Sequence, residues 1–223
     1  MQVKLVGYTQ PSEEFKEHFS NAKELIAYCA RVSNPSNQYN NETAEKLINY
    51  LLKHQHFSPL EMASITVEVE TTRDIARQLL RHRSFTFQEF SQRYADPTKD
   101  LNFVLREARL QDSKNRQNSI ALEDSAESRE LQRLWNEQQQ SVIRAAKQAY
   151  TWAVSNGIAK EQARAVLPEG NIASRLYVQG TIRSFLHYIQ VRTDVSTQLE
   201  HRELAMEIAK AISKIFDVQQ FVK

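Results

Sequence analysis

Arginine, histidine and arginine, followed after seven residues by serine, frame Arg81 to Ser91, the stretch of this sequence best equipped for chemistry. Continued to Tyr94, the run RHRSFTFQEFSQRY sets six titratable side chains among fourteen residues, with Phe85, Phe87 and Phe90 between them. Guanidinium forks suit a bidentate hold on phosphate or carboxylate, and aromatic rings pack against planar heterocycles. Upstream, Arg73, Arg77 and Arg81 recur at every fourth position, so a helix there carries an arginine stripe, with Gln78 one turn before Arg81. On spacing alone the run reads equally as a solvated charged face beside the edge of a core. A basic–aromatic nucleic-acid surface is a further reading; Glu89 in the middle of the run and the lack of any extended basic stripe elsewhere oppose it. Ser91 resembles a nucleophile, but no neighbouring His–acid pair is evident to activate it. His54 and His56 are too sparse a pair to indicate a metal, and none is expected.

These residues need elements to position them. Val3, Leu5 and Gly7 alternate as a first strand. Asn21 with Glu24 forms a capping box ahead of Leu25, Ile26, Cys29 and Val32 at helical spacing, which puts Cys29 on an apolar helix side as a buried structural thiol. A polar loop from Ser33 to Asn41 precedes a helix over 43–55, and Ser58-Pro59-Leu60-Glu61 reads as a helix start with Ser58 as its cap. Ile65, Val67 and Val69 alternate with Thr66, Glu68 and Glu70, the clearest strand of all. Thr72 caps a helix reaching Leu80. Residues 111–128 read as an exposed loop or frayed helix start, 130–156 as one long helix stopped by Gly157, and 160–167, 181–192 and 198–216 as shorter helices. Arg175 to Gln179 is a candidate strand. The expectation is a helix-rich α+β fold, one domain over 1–223, around a small sheet, with 100–155 mainly helical scaffold.

Composition agrees. With 223 residues, 41% hydrophobic and 25% charged, the chain can bury a core, and only 4 Gly and 5 Pro favour long regular elements. A net charge of +2 is too small for bulk nucleic-acid or membrane binding, and neither partner is expected. No apolar run approaches the ~18 residues of a membrane span. The N-terminus lacks the apolar core of a signal peptide, and the single Cys allows no internal disulfide; both fit a cytoplasmic protein.

The framed motif resembles the signature of flavin-dependent thymidylate synthases, and Arg93-Tyr94 continues it. CARVS (Cys29 to Ser33), KHQHFSPLE (Lys53 to Glu61), ARQ (Ala76 to Gln78), ARAVLP (Ala163 to Pro168), Arg183 and VRTD (Val191 to Asp194) resemble family segments in the same order. The similarity spans roughly 25–95 and 160–205. It implies a mainly antiparallel sheet and an enzyme that methylates dUMP to dTMP. The carbon would come from 5,10-methylenetetrahydrofolate and the hydride from FAD reduced by NADPH, in a homotetramer with shared active sites. Carried over by position, His56, Ser58, Arg81, His82, Arg83, Glu89, Thr181, Arg183 and His187 would contact FAD. Gln78, Leu79, Leu80, Arg81, Glu89, Phe90, Ser91, Gln92, Arg93 and Arg164 would hold the nucleotide. Arg192, the catalytic residue, would face its uracil ring.

The chemistry of that assignment is coherent. Arginines and a Ser hydroxyl are apt donors to a phosphate dianion. Arg192 stays protonated, so it cannot be a general base; it can stabilise charge on the uracil as N3 loses its proton. Ser91 then becomes a nucleotide ligand, and Cys29 has no nucleophilic role. The chain departs from the family pattern in a stretch, Glu169 to Arg175, about one residue longer than in many relatives. Thr181 and His187 stand where family asparagines do, and Ser196 and Met62 where histidines are common. A flavin-binding relative without methyl transfer is the alternative within the family.

Overall fold

Register in a sheet is decided by whichever face buries more apolar surface, because a one-residue slip turns every side chain over. The computed structural model, which describes residues 1–223, shows this in Ser64–Thr72. Its Ile65, Val67 and Val69 lie opposite Gly180, Val178 and Leu176 on the neighbouring strand, and all six are buried. Each such large side chain contributes ~1.5–3 kcal/mol on burial. The outer face carries Lys4–Glu68 at 3.1 Å, Tyr177–Glu68 at 3.0 Å and Arg175–Glu70 at 2.6 Å. Exposed pairs of this kind contribute only ~0–1 kcal/mol each. The inner face therefore sets the register.

In chain order the elements are β1 (Gln2–Tyr8), α1 (Ala22–Ala30), α2 (Ala44–Lys53), β2 (Ser64–Thr72), α3 (Arg73–Leu79), β3 (Thr86–Glu89) and α4 (Pro97–Asp100). Then come β4 (Arg109–Gln111), β5 (Ser119–Ala121), α5 (Ala126–Ser155), α6 (Lys160–Ala163), β6 (Ala173–Thr181), α7 (Ile182–Arg192) and α8 (Leu199–Ser213). The main sheet runs β1-β2-β6-β3, antiparallel at every pairing, as expected of this helix-rich α+β chain. Helices α3, α7 and α8 supply Ile75, Leu79, Phe185, Ile189, Leu204 and Ile208 to the core over its inner face.

Several local expectations hold. The Asn21 side chain accepts from the Glu24 amide at 3.0 Å, and the Glu24 carboxylate accepts from the Ser20 amide at 2.7 Å, closing the start of α1. Others need correction. Ser58–Met62 is a single 3-10 turn with Phe57 at its cap position, because the chain must extend again at Ala63 to enter β2. The segment expected to be a loop after Gln111 contains the second strand of a hairpin, β4–β5, whose exposed residues offer no apolar alternation to read. β3 was not anticipated, and β6 is longer than Arg175 to Gln179. The arginine stripe is broken: α3 ends at Leu79, so Arg73 and Arg77 lie on it and Arg81 lies beyond.

The 30-residue α5 buries only Gln139, Ala146, Tyr150 and Ala153. Along one side, two turns apart, Gln132 and Gln139 accept the amide N–H groups of Ala108 and Arg106, both at 2.7 Å, and Gln139 donates to the Arg106 carbonyl at 2.9 Å. These two amides serve residues 106–108 as a strand partner would. Alongside this packed stripe Leu131, Trp135, Val142 and Trp152 stay exposed.

Candidate active site

α7 places Arg192 at its last position, where the loop after α3 brings up His82. The Arg192 Nε–H donates to His82 Nε2 at 2.8 Å, so His82 is neutral with its proton on Nδ1. Burial, then the neighbouring Arg192, His187 and Arg81, lower the His82 pKa to about 4. Tyr188, one turn before Arg192, lies edge-on to His82 with 4.9 Å between ring centres; burial pushes its hydroxyl pKa up. The fully buried His201 of α8 completes the cluster. Its Nδ1 meets Gln78 Oε1 at 3.1 Å, and burial, then Arg192 and His82, lower its pKa to about 3. No carboxylate pairs with Arg192 or with Arg81, whose charge also reaches His82, so this cluster suits an anion.

Glu89 sits at the far end of β3. Ser174 Oγ donates to it at 2.8 Å, Arg73 at 3.4 Å, and Arg77 lies 3.9 Å away. Just beyond, Ser91 and Arg93 border a shallow depression with Tyr94, Lys160 and Glu161, and Arg93 pairs with Glu161 at 3.1 Å. Arg164 donates to the Glu161 carbonyl at 3.3 Å, which brings it beside this group. Four residue steps separate His82 from Thr86 and two separate Glu89 from Ser91. The motif's two chemical ends therefore lie at opposite ends of β3, and no hydrogen bond or ion pair joins Ser91, Arg93 or Arg164 to the Arg192 cluster.

A third group surrounds a cavity of about 510 Å³ lined by Phe57, Glu61, Arg183, His187, Gln190 and Phe221, among others. Arg183 and His187 are one turn apart on α7, and Glu61 holds Arg183 at 2.5 Å. Exposed His56 and Ser58 flank Phe57 at the start of the 3-10 turn. Thr181 is engaged elsewhere, its Oγ1 capping α7 by accepting the Ser184 amide at 3.2 Å. A separate cavity of about 330 Å³, bordered by Glu70, Arg106, Arg109 and Glu200, contains none of the anticipated residues.

The remaining anticipated residues divide by burial. Leu79 is fully buried, so its side chain belongs to the core, and its carbonyl accepts the His82 amide at 3.0 Å. Leu80 and Phe90 are half-buried and Gln92 is 4% exposed. Phe85 is not a surface for ligand rings: it packs in the core, 4.6 Å from Phe185, over Gly180, where a Cβ would come within 2.3 Å of its ring. Cys29 is half-buried on α1 and burial raises its thiol pKa, away from nucleophilic use. His201, Gln198, Phe57 and Phe221 were missed. The sequence carries little signal for them, since each joins its group only through tertiary packing.

Comparison with known proteins places this geometry. The family described as "Thymidylate synthase complementing protein" matches residues 14–217. A "Probable flavin-dependent thymidylate synthase" of Paramecium bursaria Chlorella virus 1 is 44% identical over 216 residues, covering 97% of this chain and 94% of that one. A "Flavin-dependent thymidylate synthase" of Synechocystis sp. is likewise 44% identical, covering 97% and 96%. The crystal structure of a UMP/dUMP methylase PolB from Streptomyces cacaoi bound with 5-Br UMP superposes with a TM-score of 0.77 at 23% identity, covering 99% of this chain and 94% of that one. That last likeness establishes the fold. Near-full-length identity at this level, joined to the Arg81–Ser91 motif and its Arg192 partner, means that the chain belongs to the flavin-dependent thymidylate synthase family.

Proposed function

We propose that this chain, acting as one unit over 1–223, methylates dUMP to dTMP in the cytoplasm. 5,10-Methylenetetrahydrofolate would be the carbon donor and NADPH the reductant of bound FAD. The observation that carries this reading is the Arg192 guanidinium, fixed at 2.8 Å on the motif's own His82 and left without a carboxylate partner. Such a cation stabilises the uracil ring as N3 loses its proton, and the ring's electron density at C5 rises. It holds a charge and accepts no proton.

The nucleotide phosphate would lie among Ser91, Arg93 and Arg164, with Gln78, Arg81, Glu89 and the backbone near Leu79, Leu80, Phe90 and Gln92 completing the contacts. The flavin would lie at the third group, where Arg183 suits its diphosphate and Phe57 and Phe221 line the cavity, with Arg81 and Arg83 of the segment after α3 as further proposed diphosphate contacts. His56, Ser58, His82, Thr181 and His187 are its other proposed neighbours, and Glu89, at the far end of β3, would reach it from another copy. Bound there, the flavin supplies the hydride. The separation of Ser91 from Arg192 along β3 supports a site shared between copies in a homotetramer, and the exposed apolar residues of α5 offer surface for assembly. Tritium release from C5-labelled dUMP, with folate donor and NADPH, tests the proposal. Release that requires all three is expected; flavin and dUMP binding without release would leave a flavoprotein that has lost methyl transfer.

A further inference from the structure

Gln78, the proposed nucleotide contact, is held by a chain of hydrogen bonds whose polarity is set at one end. The Glu200 carboxylate, ion-paired with Arg106 at 3.2 Å and Arg109 at 2.5 Å, can only accept. Gln198 must therefore turn its amide nitrogen toward Glu200, at 2.9 Å, which leaves its oxygen for Gln78. Gln78 gives its own nitrogen to that oxygen at 2.8 Å, so its oxygen faces His201 Nδ1 at 3.1 Å. His201 must then carry its proton on Nδ1 and keep a bare lone pair on Nε2. That atom is buried without a partner, as is the hydroxyl of Tyr188, whose ring centre lies 5.8 Å from that of His201.

We infer that His201 is a positioning residue that terminates this relay and locks the orientation of the Gln78 amide before substrate arrives. Gln78 then has one free N–H to offer and meets the nucleotide as a donor. A buried histidine that stays neutral suits the task, because a proton gained at Nε2 would place a charge beside Arg192 with nothing to compensate it. Nothing in the relay touches the reacting carbon, so its loss should weaken nucleotide binding rather than the chemical step.

The inference rests on the proposed contact between Gln78 and the nucleotide, and two measurements separate the failures. In the substrate-free holoenzyme, ¹⁵N spectra of labelled histidine, with His201 assigned by its loss in His201→Asn, should show the Nδ1–H tautomer. An Nε2–H tautomer would overturn the relay whatever Gln78 contacts. In steady-state kinetics, His201→Leu should raise KM for dUMP about tenfold, the scale of one lost hydrogen bond to a committed amide. kcat and flavin absorbance should change little, and His201→Asn, which keeps a donor near Nδ1, should recover most of the loss. The double variant Gln78→Ala/His201→Leu should be no worse than Gln78→Ala alone. Additive losses, or an unchanged KM in a folded His201→Leu protein beside an impaired Gln78→Ala, would overturn the positioning role. An unchanged KM in Gln78→Ala would instead remove the nucleotide contact on which it rests.

Discussion

At the residue scale the proposed chemistry rests on Arg192, with half-buried His82 fixed against it and His201 buried behind as a positioning residue. Arg192→Ala should lower turnover ~100-fold or more, the usual loss for a preorganised charge-stabilising donor. Flavin absorbance in the purified variant should remain; loss of flavin with retained turnover would move Arg192 out of this role. Cys29→Ala should keep substantial activity in the same assay. The depressed imidazoles also predict acid sensitivity. Below pH 6.5 the unfolded chain takes up protons at His82 and His201 that the folded chain refuses until about pH 4 and about pH 3. Stability therefore falls as pH drops from 6.5 toward those values, by at most ~1.4 kcal/mol per unit for each group and less for half-exposed His82. Urea midpoints at pH 7 and pH 5 measure the slope, which should flatten in His201→Leu. The motif stood out in the sequence because its arginines and rings are chemically conspicuous; Arg192 is one arginine among many and was reached only through the family resemblance. His201 was not legible: it lies among charged neighbours in the first turn of α8, Leu199-Glu200-His201-Arg202, and only the fold buries it and brings it to Gln78 across 123 positions.

Elements with dense apolar patterning were equally legible, and those defined by a distant partner were not. β2 reads directly from its alternation. β3 has four residues with a half-buried, half-exposed pattern, and its partner β6 lies about ninety positions away. The motif's rings were likewise open to two uses, ligand stacking or core, until Gly180 gave Phe85 a seat. Gly180→Ala tests that seat. The added methyl must displace the Phe85 ring, and such overpacking costs ~1–3 kcal/mol. Thermal denaturation should show a lower midpoint, and because Phe85 sits three residues after His82, the flavin spectrum should shift with it. An unchanged midpoint would mean that the ring moves freely.

For the whole molecule, the proposed function asks Ser91 and Arg192 to meet one nucleotide although they lie at opposite ends of β3 in one chain, and the proposed shared sites would meet that demand. Trp135→Glu, at an exposed apolar position of α5, should yield a smaller species by sedimentation, with activity falling alongside mass. Full activity in a monomer would place the whole site within one chain. The proposed assembly surface is not visible in composition, since α5 is polar overall and its exposed apolar residues stand out only once its packed stripe is known.

Gln139 carries a consequence of a different kind. The Arg106 amide has no sheet ladder to protect it; its proton is held by one side chain projecting from α5. Deuterium uptake at that single amide therefore reports how often the long helix lifts from the segment beneath it. Because Arg106 also grips Asp74 at 2.6 Å and Glu200 at 3.2 Å, each lift would loosen the anchor of the Gln198–Gln78 relay. Exchange at Arg106, slowed on nucleotide binding and accelerated in Gln139→Ala, would make this one proton a clock for the site.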